Sequence, residues 1–220
     1  MSNKVPAIIY SSLIVFLLLG TLAGYLYPGG HWWEHDYPKY HLWLNFFCDA
    51  LKTVAYNGES NILGSNIASI AMLVFFIGVL LPTWVALPQR ISRSSTVKWI
   101  NRLGLFSIPC VSLIPLSTFI TIPVPHLVVV LIAVVPGVCA TGMMCKVIAH
   151  EPEASSMLKL LGIANVLLTI LIVIWYLVEE ITENYSMITP GMPKLLLLTL
   201  IIWIIMLLRE TTSTARRLSL

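Results

Sequence analysis

Apolar residues fall in six long runs along this chain, at 6–27, 65–87, 103–122, 127–147, 157–178 and 188–208, with most charged residues gathered between them. The hydrocarbon core of a bilayer takes about 20 mainly apolar residues as a helix, so each run suits one crossing. The pattern predicts an all-α fold: a polytopic membrane protein of six transmembrane helices, forming one domain over residues 1–220. The first run follows Lys4 and lacks a small-x-small cleavage pattern near its end, so it reads as a retained signal anchor. In the sixth, the purely apolar part is only 195–208, so crossing needs residues from 188, and Lys194 is expected to snorkel out to the headgroups.

The longest segment between runs, 28–64, has a different pattern. It opens with the turn Pro28-Gly29-Gly30 and continues through His31, Trp32, Trp33, Glu34, His35 and Asp36. Such a density of Trp and Tyr suits a water–lipid interface, where rings bury while N–H and O–H groups stay wet. Over 41–54 polar residues recur every fourth position at His41, Asn45 and Asp49, with Leu42, Trp43, Leu44, Phe46, Phe47, Ala50 and Leu51 around them. That spacing predicts a short interfacial helix with a narrow polar stripe. Beyond it, Asn57-Gly58 is a turn signal, and Ser65 or Asn66 is placed to cap the second span.

Composition narrows the possibilities. Hydrophobic residues make up 58% of the chain and charged residues 10%, which leaves no length for a separate soluble catalytic domain. The basic residues cluster at Arg90, Arg93, Lys98 and Arg102, at Lys146 and Lys159, and at Arg209, Arg216 and Arg217. Placing all of these in the cytoplasm obeys the positive-inside rule and puts both termini there, with 28–64 on the outer side. The net charge of +3 then reflects topology and anionic headgroups, and no nucleic-acid partner is expected. Pro82, Pro109, Pro115 and Pro136 punctuate the runs, and Gly137, Ala140, Thr141 and Gly142 permit close helix contact in the fourth. No charged residue stands mid-run, which argues against an ion-coupled transporter. The four cysteines form no C-x-x-C pair, and nucleophile, phosphate-loop and nucleotide motifs are missing from the sequence.

Candidate chemistry collects on the outer side: Asn45, Asp49, Asn57, Glu59, Asn61, His126, Glu179 and Glu180. An ionisable group at membrane depth is costly, so Asp49 is the central candidate of a polar pocket. Glu179 and Glu180 point about 100° apart on a helix, so at most one faces that pocket. His31, His35 and His41 with Asp36 are metal-ligand types, but Gly-Gly before and Pro38 after oppose a helical ligand pair, so neither metal nor cofactor is expected.

The run Asn45-x-x-Cys48-Asp49, then Asn57-Gly58 and Asn61 leading into the second span, resembles the first outer loop of a six-helix group. That group comprises uncharacterised prokaryotic membrane proteins similar to the eukaryotic Frag/DRAM/Sfk proteins. His126 matches a His at the outer start of its fourth helix. Cys48 stands where the group commonly has Ser, and the stretch His31 to Asp36 lies outside its pattern. The resemblance implies a bacterial cytoplasmic membrane and, by way of the eukaryotic relatives, a link to lipid-anchor remodelling, lipid distribution or autophagy.

The sequence therefore leads to a lipid-associated membrane protein with a polar pocket at the outer leaflet. Two alternatives stand beside it. One is a non-catalytic assembly subunit docking a membrane-protein partner through Trp32, Trp33, Trp43, Phe46 and Phe47. The other is a lipid-modifying enzyme using Asp49 and His126.

Overall fold

The computed structural model describes residues 4–92, 94–113 and 123–217, with the side chains of 90, 112, 123–127 and 213–217 excepted. Among the described residues the protein is all-α, and its only β pairing is two isolated bridges, His31–Glu34 and Val54–Ser60. The described residues contain six long helices: α1 (Lys4–Leu26), α2 (Ile62–Val85), α3 (Ser95–Ser112), α4 (Pro123–Ala149), α5 (Ser156–Thr182) and α6 (Met192–Arg217). Five of them, all but α3, are long and apolar enough to cross a membrane. The second half of the run expected at 103–122, including Pro115, lies outside the described residues.

The helices pack mainly as chain neighbours: α1 on α2, α3 on α4 and α5 on α6, with α2 touching α3 and α4 touching α5. Because lipid tails are as apolar as Leu, burying Leu gives little drive for helices to associate in a bilayer. Close packing at small residues takes over. Trp84 of α2 is seated between Gly104 of α3 and Gly137 of α4, where added Cβ atoms would stand 2.6 Å and 3.1 Å from it. Its indole N–H donates to Thr141 Oγ1 at 3.3 Å, and Thr141 donates on to the Gly137 carbonyl at 2.9 Å. Gly162 makes the same allowance for the fully buried Trp203, and Gly78 lets α1 approach α2 at Ser12. On α1 the buried stripe is Ile9, Leu13, Phe16 and Ala23, while Ile14, Leu18 and Leu22 face outward.

α2 is not regular throughout. Phe76–Leu80 form a π turn, in which the Leu81 N–H reaches back to the Phe76 carbonyl. Pro82, one residue further, has no N–H to give to the Gly78 carbonyl, and this local loss of the four-residue ladder accompanies the bulge. Thr83 re-engages the chain by donating to the Val79 carbonyl at 2.7 Å.

Connectivity places two loop systems at one end of the bundle, residues 27–61 and 183–191, and the links 86–94 and 150–155 at the other. Ser155 ties the second link to α6 by donating to Glu210 near the far end of that helix. If Trp84 organises the centre, Gly104→Leu should lower the thermal midpoint in detergent by several degrees, the overpacking costing about 1–3 kcal/mol. Gly142→Leu, where an added Cβ meets nothing within 4 Å, should leave it unchanged. Equal midpoints for the two variants would contradict this account.

Candidate functional site

Residues 27–61 form a folded layer with little regular secondary structure. The interfacial helix expected over 41–54 is a correction: only Phe47–Leu51 is helical, as a short 3₁₀ segment, and 42–45 are turns and a bend. Side chains explain it, because they take the N–H groups that a helix would use. Asn45 Oδ1 accepts from the His41 N–H at 2.8 Å. His41 Nδ1 accepts from the N–H groups of Trp43 and Leu44, at 3.2 and 3.1 Å. Asp49 Oδ2 accepts from the Phe46 N–H at 2.7 Å, closing the start of the 3₁₀ segment.

Asn45 and Asp49, the two central candidates, do come together, both buried. Asn45 Nδ2 donates to Asp49 Oδ2 at 3.2 Å and to the Gly30 carbonyl at 2.9 Å. Gly30 must be glycine there: its φ is +81°, and a Cβ would sit 2.6 Å from the His35 carbonyl oxygen. Asp49 Oδ1 pairs with Lys52 at 3.4 Å, and the Lys52 ammonium lies 3.8 Å from the centre of the Tyr56 ring. Half-buried beside this carboxylate, Tyr40, Tyr56 and the Cys48 thiol all have raised pKa values. Desolvation is the larger cause and the Asp49 charge the second.

Lys194 was expected to snorkel to the headgroups and instead turns inward. α6 begins at Met192 rather than 188, and the Lys194 ammonium donates to the Asn45 carbonyl and, at 2.8 Å, to the Pro190 carbonyl. It ties the last helix to the first loop. Nothing in the sequence pairs it with Asn45, though a lone Lys opening an apolar run was the available signal.

The remaining candidates have local work. Asn61 was a pocket candidate, but its Nδ2 donates to the Ala50 and Lys52 carbonyls, at 3.2 and 2.8 Å. Ser65 does not cap α2, which starts at Ile62; it donates to the Leu51 carbonyl at 2.6 Å. Asn57 Oδ1 accepts from the Glu59 N–H at 3.1 Å in the turn at Gly58, and Glu59 is exposed. Glu179 is the buried member of its pair. Its Oε1 accepts from Trp175 Nε1, the Ser186 N–H and Thr189 Oγ1, at 2.9, 2.8 and 2.6 Å, so it braces the 183–191 loop. Glu180 accepts from the Tyr185 hydroxyl at 3.1 Å. Tyr176, one turn before Glu180, meets Phe46 edge-on, and Trp32 and Trp43 of the layer pack against Tyr185 and Gly191 of the 183–191 loop, so the two loop systems touch through rings rather than through their carboxylates. His126 falls in the first turn of α4, and its side chain lies outside the described residues.

The open space lies below this polar layer. An apolar groove of about 640 Å³ runs between α1 and α2 under the loop, reaching Leu197 of α6. Gly20, Ala68 and Ala71 line it, Phe16 closes its deep end, and Tyr25, Lys39 and Tyr40 stand at its mouth. From Phe16 to Tyr25 is nine helical residues, about 14 Å, close to half of the roughly 30 Å hydrocarbon core. Tyr40 is held over the groove by its hydroxyl, which donates to the Phe46 carbonyl at 3.2 Å.

Compared with known proteins, the chain matches no family model, no curated protein and no solved structure. Fold and site define a class: an α-helical membrane protein with a folded polar layer closing one end of its bundle over a lateral apolar groove.

Two predictions follow from the layer. Asp49→Ala leaves the Phe46 N–H and one of the two Asn45 Nδ2 hydrogens without an acceptor, the other still held by the Gly30 carbonyl, a loss of about 1–3 kcal/mol. It should lower the thermal midpoint and expose 28–61 to protease; unchanged protection would refute the role. His31 is buried among the rings of Trp33, Tyr37 and His41, and among the described residues neither of its ring nitrogens has a partner. Burial lowers its pKa below the ordinary 6.5 against the opposing pull of Glu34 and Asp49, while His41 and His35 add to the lowering. The unfolded chain then takes the proton first, so stability is full above 6.5 and is lost as pH falls from there toward the folded value. The midpoint should drop between about pH 7.5 and pH 5, and His31→Phe should flatten that drop.

Proposed function

We propose that this protein holds a membrane lipid, with one acyl chain in the groove between α1 and α2 and the headgroup at Lys39. The observation that carries the reading is the shape and depth of the groove. It is apolar, opens sideways among lipid-facing residues such as Leu17, and matches the depth of a single leaflet. Lys39 at the mouth is exposed and supplies a cation where a lipid phosphate would sit. With the basic links and tail in the cytoplasm, the folded layer faces outward and the bound lipid belongs to the outer leaflet. The similarity of the Asn45–Asp49 loop to the Frag/DRAM/Sfk group points to the same lipid context.

In this reading Asp49, Asn45 and Lys194 serve as positioning residues. They hold Tyr40, Phe47 and Ala50 as the upper wall of the groove, and the lipid meets the wall rather than the carboxylate. A docking reading has one observation in its favour: Leu42 and Trp43, side by side in the layer, are both exposed. The groove bears on lipid more directly, because in a bilayer lipid is the solvent at its mouth.

Gly20→Trp tests the proposal. A Cβ at Gly20 meets nothing within 4 Å, so the indole can fill the groove without disturbing helix packing. Native mass spectrometry of gently released wild type should show a discrete phospholipid adduct. Gly20→Trp should lose it at an unchanged thermal midpoint, and Lys39→Glu should weaken it about tenfold. Equal adducts on wild type and Gly20→Trp would sink the proposal.

A further inference from the structure

At the opposite end of the bundle a second cavity, about 210 Å³, lies between the segment leading into α3 and the C-terminal turn of α4. Its polar lining is Ser92, Ser94, Thr96, Lys146, His150 and Glu151. Lys146 and His150 stand one helical turn apart, on the same face. Among the described residues no carboxylate pairs with Lys146. His150 Nδ1 lies 2.8 Å from the Lys146 carbonyl, and a carbonyl only accepts, so that nitrogen carries the proton. Nε2 is left as the ring atom free for a ligand. It accepts from a phosphate hydroxyl. Across the cavity Ser92 already accepts from the Ser94 N–H at 3.2 Å, which leaves its hydroxyl hydrogen to give.

We infer that this cavity binds a phosphate group, with Lys146 as counter-charge, His150 as second contact and the hydroxyls of Ser92, Ser94 and Thr96 as donors. The favourable position of a cation at the end of α4 explains Lys146 alone. It does not explain why three hydroxyls and an imidazole with a fixed tautomer close around the same space. Glu151, the single acid in the lining, opposes a bare anion but accepts from a hydroxyl or amine beside the phosphate. A headgroup with a phosphate and a neighbouring donor satisfies every polar wall of the cavity. Such a phosphate comes either from a phospholipid of the adjacent leaflet or from a free phosphate compound.

The two sources separate in one experiment on the full chain in neutral detergent. The thermal midpoint is followed while phosphatidylglycerol or, separately, inorganic phosphate is added, with sulfate as a control for ionic strength. Stabilisation of wild type by the lipid alone assigns a headgroup site, and stabilisation by inorganic phosphate above sulfate assigns a soluble one. In either case Lys146→Gln, an exposed substitution, should raise the half-saturating concentration about tenfold, and Lys146→Gln with His150→Gln should raise it further. Gly20→Trp, which blocks the groove at the other end, should retain the response, so the two sites succeed or fail separately. No stabilisation by either additive, or equal responses in wild type and Lys146→Gln, overturns the inference.

Discussion

The buried carboxylate of Asp49 is the constraint on which the loop end of this protein depends. A charge taken out of water persists only when it is paired and hydrogen-bonded. Here Asn45, the Phe46 N–H and Lys52 supply those partners. Each partner is also joined elsewhere: Asn45 reaches Gly30 and His41, and its carbonyl receives Lys194 from α6. One carboxylate thereby fastens the Gly-Gly turn, the 3₁₀ segment and the last helix into a single layer. Asn61 and Ser65 complete it from below by holding the carbonyls of Ala50, Lys52 and Leu51.

The layer matters because of what it roofs. The groove walls on α1 and α2 carry Gly20, Ala68 and Ala71, too small to fill the space between helices. In water such a hollow would favour collapse; between helices in a bilayer, where lipid tails are as apolar as the walls, that drive is small. Tyr40 and Phe47 face the groove from the layer, so the polar network and the apolar site are coupled mechanically through the same short segment. At the other end the smaller cavity is lined from different elements, the segment before α3 and the end of α4, so the two hollows share no residue.

Much of the helical frame was legible in the sequence because apolar run length is enforced by bilayer thickness. The runs at 6–27, 65–87, 127–147, 157–178 and 188–208 all correspond to helices apolar enough to span, with shifts of a few residues at their ends. Those shifts had consequences. Starting α2 at Ile62 removed Ser65 from a capping position, and starting α6 at Met192 turned Lys194 inward. The fourfold polar spacing at His41, Asn45 and Asp49 read as one helical stripe. In the structure these residues form a knot, since their side chains outcompete the backbone for its own donors.

By itself, then, the sequence determined the class, the helices and the concentration of polar residues in one loop, since hydrophobic length and charge distribution act locally along the chain. Which face of each helix turns inward was beyond it, because runs that are apolar all round carry no periodic signal. The contacts were decided by where glycines meet Trp84 and Trp203. Only tertiary structure joined Asn45 to Lys194, 149 residues apart, and set Tyr40 against Gly24. A hollow between helices belongs to no single segment, and its existence follows from how the segments fail to fill the space they share.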